Sequence, residues 1–114
     1  MRIPFLSLAV LASLLACGGG EDEASTQVIK SFGSLQCSGG GVTLSTLQGQ
    51  LVAANVKVGT ATCGADGVAR PTVCGSSDGK IGIFEISTAQ VSAAAAAGFV
   101  PLTSVPTAKP VACT

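Results

Sequence analysis

Four cysteines, Cys37, Cys63, Cys74 and Cys113, constrain this chain more than any other feature. Two crosslinks demand a fold in which two pairs of Cα atoms come within about 7 Å of each other. Whether the crosslinks form depends on compartment, because cytosolic thiols stay reduced and exported ones oxidise. The first residues bear on that question. Arg2 supplies a positive start, Ile3 to Ala16 is mostly Leu, Ala, Val, Ile and Phe, and a fifth cysteine, Cys17, ends the run. A charged end, an apolar stretch and small residues form a secretory signal segment. The run is too short to span a bilayer, which takes about 20 apolar residues. Export leads us to expect two disulfides among the four later cysteines. A four-thiolate zinc site is the weaker alternative, since no C-x-x-C pair is present.

The run ends Leu14-Leu15-Ala16-Cys17. This tetrapeptide resembles the bacterial lipobox, where lipoprotein signal peptidase cuts just before the cysteine. The resemblance covers only the N-terminal segment. It implies a signal peptide over 1–16, a diacylglycerol on the Cys17 sulfur and an acyl group on the new amino terminus. A single acyl chain binds membranes marginally, whereas several at one residue hold firmly. Gly18 follows the cysteine where an aspartate would signal retention, so similarity to lipoproteins of enteric bacteria implies the periplasmic face of the outer membrane. Gly18–Thr26 has no apolar periodicity and carries Glu21-Asp22-Glu23. Residues 17–26 are therefore expected to form a flexible, solvated tether.

Residues 27–114 suffice for one domain and not two. From Gln27 onward five bases face three acids with no basic cluster, so nucleic acid is not an expected partner. Trp, Tyr and His are absent. Without imidazole there is no Ser-His-Asp triad and no His-based general base. Glycosidase chemistry needs two placed carboxylates, and the domain has Asp66, Asp78 and Glu85. Asp66-Gly67 and Asp78-Gly79 read as turns, and Glu85 as a cross-strand neighbour of Lys80 or Lys57. The expected protein is not an enzyme and needs no cofactor or metal.

Two stretches begin helices in the same way. Ser45 with Gln48, and Ser87 with Gln90, match the capping-box pattern. Leu47, Leu51 and Ala54 recur on one helical face, and Asn55 tolerates the left-handed stop that ends it. Val91–Ala97 is alanine-rich, with Gly98 placed to close the helix and Phe99 to fold back on it. Strands are expected at Phe32–Cys37, Val56–Thr62, Lys80–Ser87 and Val100–Val105. Pro101 and Pro106 confine the last to a sheet edge. The order β-α-β-β-α-β predicts an α+β, ferredoxin-like split β-α-β repeat, a four-stranded antiparallel sheet with both helices on one face. In that fold Cys63–Cys74 closes the protrusion between the second and third strands and Cys37–Cys113 ties the tail to the first strand.

Two surfaces are candidates for binding. Ser38-Gly39-Gly40-Gly41 lies between a strand and a helix start, where backbone N–H groups can cradle an anion. It matches neither the dinucleotide nor the P-loop pattern, and its ordinary role is a flexible connection. On Lys80–Ser87, Ile81 and Ile83 share one face and Phe84 and Ile86 the other. With Phe84 and Ile86 under the helices, Ile81 and Ile83 are expected on an open apolar face, a docking site for another envelope protein.

Overall fold

The computed structural model describes residues 24–113. The signal segment, Cys17 and the acidic run lie outside the described residues. The elements are β1 (Ser25–Ser31), α1 (Leu44–Ala53), β2 (Val58–Ala65), β3 (Lys80–Ser87), α2 (Val91–Ala96), β4 (Val100–Pro101) and β5 (Lys109–Pro110). All strands join one antiparallel sheet in the order β4-β1-β3-β2-β5. The class is α+β, as expected, with five strands in place of four.

β3 is central because it is apolar on both faces. Phe84 and Ile86 point to one side and Ile81 and Ile83 to the other, all buried. β1 follows the same logic on a smaller scale, burying Val28 on the first side and Ile29 on the second. It lies at Ser25–Ser31, not at Phe32–Cys37. Its first residues fall in the stretch expected to be tether, so the folded domain begins earlier than position 27. The Phe32–Cys37 stretch turns instead. Leu35 and Gly39 exchange backbone hydrogen bonds at 2.9 and 2.8 Å, closing a tight reversal. Cys37, Gly39, Gly40 and Gly41 all have φ between +67° and +79°, the left-handed region where glycine carries no steric penalty.

The helices start differently from each other and end alike. Thr43, not Ser45, caps α1, with its Oγ1 accepting from the Thr46 N–H at 3.1 Å. Ser87 caps a short 3₁₀ turn (Thr88–Gln90) that leads into α2. At α1, the Val56 N–H reaches the Leu51 carbonyl and the Asn55 N–H the Val52 carbonyl, both at 2.9 Å. At α2, Phe99 donates to Ala94 at 3.0 Å and Gly98 to Ala95 at 2.9 Å. These are Schellman closures, centred on Asn55 (φ +66°) and Gly98 (φ +96°). Each throws its next residue, Val56 or Phe99, into the core.

That core holds Val28, Leu47, Leu51, Val56, Phe84, Ile86, Ala94 and Phe99, so both helices cover the same face of the sheet. Phe84 and Phe99 meet edge to face, 5.7 Å between centroids. The opposite face is covered too. β4 and β5 sit on opposite edges, so the chain joining them must cross beneath the whole sheet. Leu102, Val105 and Ala108 on that crossing pack against Ile29, Ile81 and Ile83. Ile81 is 3% exposed and Ile83 1%. The expected open apolar face is a second core layer, and these two isoleucines are not a docking surface.

The crossing also changes the disulfides. β5 pairs with β2, placing the tail beside Cys63 and not beside the first strand. The bridges are Cys37–Cys74 and Cys63–Cys113, each with a Cα–Cα distance of 5.1 Å, replacing the expected Cys63–Cys74 and Cys37–Cys113.

Candidate functional site

Strand register decides which loops meet. Ser31 pairs with Ile81, and Ala65 with Lys80 and Lys109. The loops 32–43 and 66–79 and the tail 111–113 therefore gather at one end of the sheet. Both disulfides lie there. At the other end, Ser25 pairs with Ser87, and the N-terminal segment enters the fold.

Between these loops runs a cleft of about 540 Å³. Phe32, Val42, Leu44 and Val111 supply its apolar wall, and Ser34, Thr43, Asp78 and Lys80 its polar groups. Gly39 and Gly40 line it; Ser38 and Gly41 are not among the lining residues. The triple glycine thus shapes a cavity wall, but for a backbone reason. A Cβ on Gly41 would run into the Phe32 carbonyl, and all three glycines are left-handed.

The loops are pinned by a residue that carries no sequence signal. Gln36 accepts from the Val73 N–H at 3.0 Å through Oε1. Its Nε2 donates to the Pro71 carbonyl, the Ser76 hydroxyl and the Ser77 carbonyl at 3.1–3.2 Å. Its own N–H donates to the Ser76 carbonyl at 2.8 Å. All these partners are 35 or more positions away, beyond any local pattern. Lys30 is similar. Its ammonium donates to Gln50 Oε1 at 2.7 Å and to the Ala97 carbonyl at 2.8 Å, and sits 5.1 Å from the Phe99 ring centre.

The carboxylates are held by their own turns. Asp66 accepts from the Val68 N–H at 3.0 Å and is bidentate with Arg70 at 2.9 and 2.7 Å. The Arg70 hydrogen bonds, aided by the Val68 N–H, outweigh burial and hold Asp66 below the usual carboxylate range. Asp78 Oδ1 accepts from the Ser34 hydroxyl and the Lys80 N–H, both at 2.9 Å. Burial raises its pKa, but the Lys80 N–H, Ser34 and the Lys80 charge together lower it further. Both are the turns expected at Asp-Gly. Glu85 lies far from them at the N-terminal end, in a second cleft of about 460 Å³ with Lys57 and Gln90. Its partner is the Ser25 hydroxyl at 3.2 Å, rather than Lys80 or Lys57.

No relative identifies this site. No family model matches the sequence, no curated protein matches it significantly, and no solved structure does so either. The chemistry of the loop end has to be read from its own residues: an apolar-walled cleft with one carboxylate and one ammonium at its rim.

Proposed function

We propose that this chain is a non-catalytic, lipid-anchored lipoprotein of the bacterial envelope that binds another envelope protein through its crosslinked loop end. In this reading Cys17 carries the lipid and holds the domain at the periplasmic face of the outer membrane. One observation carries the proposal. The N-terminal segment joins the sheet at Ser25, whereas the cleft, both disulfides and, among the described residues, five of the seven large exposed apolar side chains sit at the opposite end. Those five are Leu35, Val42, Val68, Val73 and Val111. Seven residues of β1 separate the ends, about 20 Å at strand rise. An anchor at one end presents the loops away from the bilayer, and a rigid scaffold bearing loops is a common binding architecture. In the same reading, β1-α1-β2 and β3-α2-β4 are the halves of a ferredoxin-like split repeat, supported by the β4-β1-β3-β2 order, with β5 added at the β2 edge.

Two measurements test this. Metabolic labelling with radioactive palmitate should mark the native chain and not Cys17→Ser. Photo-crosslinkers placed at Val42 and Val111 should yield one common adduct in intact cells, absent from a crosslinker at Val52, which is even more exposed on α1. An unlabelled chain, or adducts that do not depend on position, would refute the proposal.

A second reading, binding of a small ligand or anion at the Ser38–Gly41 loop, draws support from Gly39 and Gly40 lining the cleft. Thermal shift against phosphate, nucleotides and small carboxylates separates the two.

A further inference from the structure

The two disulfides occupy unlike surroundings. Cys37 and Cys74 are both exposed, and both lie on irregular loops. Cys63 is buried within β2, whereas its partner Cys113 is exposed, two residues beyond Val111, whose N–H donates to the Cys63 carbonyl at 3.0 Å. Thiol–disulfide exchange requires a thiolate to reach a sulfur, so a bridge whose two cysteines are both exposed is attacked more readily than one with a single exposed cysteine. Cys37 also holds φ at +75°, a conformation that costs an L-residue roughly 1 kcal/mol or more and that a released Cys37 could relax. The loops do not depend on this crosslink alone. Gln36, next to Cys37, bonds to Pro71, Val73, Ser76 and Ser77, and the Asp78 N–H donates to the Ser34 carbonyl at 3.2 Å.

We propose that Cys37–Cys74 is a reversible redox latch on the loop end, opened by dithiol exchange, while Cys63–Cys113 is a permanent staple. A dithiol reductant attacks one sulfur of the latch as its thiolate. The Cys37–Cys74 bond breaks, a mixed disulfide forms, and the other cysteine leaves as a thiolate that takes up a proton. The second thiol of the reductant then displaces the first cysteine. Two electrons pass, leaving two protein thiols and an oxidised reductant. Gln36 keeps the opened loops docked, so the latch opens without unfolding the domain. Gly39 and Gly40, two and three residues from Cys37, form part of the cleft wall, which loosens on opening. The inference does not depend on what the cleft binds.

The test is graded reduction of the exported chain, purified in detergent, with dithiothreitol. Alkylation and peptide mapping then follow each cysteine and keep Cys17 apart. Cys37 and Cys74 should become alkylated about ten-fold faster than Cys63 and Cys113, with far-UV circular dichroism unchanged. Amide exchange should rise in 36–43 and stay protected in β1, β2 and β3. The Cys37→Ser/Cys74→Ser double variant should retain the same protected strands. Equal reduction rates, earlier reduction of Cys63–Cys113, or loss of strand protection in either experiment would overturn the latch.

Discussion

Lys30 joins three elements that no local pattern brings together, and Lys30→Met isolates what that junction is worth. Methionine keeps most of the apolar stem and removes the ammonium. Lost with it are the bonds to Gln50 Oε1 on α1 and to the Ala97 carbonyl at the end of α2, and the contact with the Phe99 ring. The Ala97 bond also places a cation at a helix C-terminus, where the dipole favours it. Hydrogen bonds from a charged donor contribute about 1.5–3 kcal/mol each, and a cation–π contact about 0.5–1 kcal/mol. Lys30 and Gln50 are half-buried, so water replaces part of each bond in the variant. We therefore expect a loss of about 2–3 kcal/mol, well short of the full sum. Set against a total stability of about 5–15 kcal/mol, that is a large fraction. With no Trp or Tyr to report, urea unfolding should be followed by far-UV circular dichroism. The midpoint should fall with an unchanged slope. A double-mutant cycle with Gln50→Leu should show coupling of about 1 kcal/mol. A loss under about 0.5 kcal/mol, or strictly additive single variants, would refute the junction.

Other substitutions probe other parts of the argument. Ile83→Asp places a carboxylate beneath Leu102, Val105 and Ala108, and should cost about 4 kcal/mol or more or abolish folding, measured by the same urea titration. A soluble variant of native stability would mean the crossing segment does not cover the sheet. Gly98→Ala forces a side chain into φ +96° and sets its Cβ 2.9 Å from Lys30 Nζ, so it should lose about 1 kcal/mol or more and reduce the effect of Lys30→Met. For Asp66 the folded-state pKa is lowered by Arg70, so its contribution is fully present above the unfolded value near about 4 and is lost as pH falls through the folded value. Asp66→Asn should therefore destabilise the domain at neutral pH and flatten that part of the acid unfolding curve, read by circular dichroism from pH 6 downward.

What the sequence determined by itself was local. Periodicity placed Leu47 and Leu51 on one face of α1, the Asn55 and Gly98 stops follow from left-handed tolerance, and the Asp-Gly pairs turn as their side chains dictate. Two-sided apolarity made Lys80–Ser87 the central strand, and its division into two faces is the one observed. The first strand was misplaced because Phe32–Cys37 looks half-apolar, whereas Val28 and Ile29 have only polar neighbours to frame them. The Gly39 and Gly40 wall of the cleft was legible as a loop, but Gln36 and Lys30 were not, since their partners lie tens of residues away.

Tertiary structure alone decided the rest. Residues 102–108 cross beneath the sheet because β4 and β5 occupy opposite edges, a fact of strand order that no window of sequence contains. That crossing turns Ile81 and Ile83 from surface into core and carries Cys113 to Cys63, leaving Cys37 for Cys74. Four cysteines allow three pairings, and spacing cannot choose among them. The choice is made by which backbone arrives beside which, and that depends on contacts far apart in the chain.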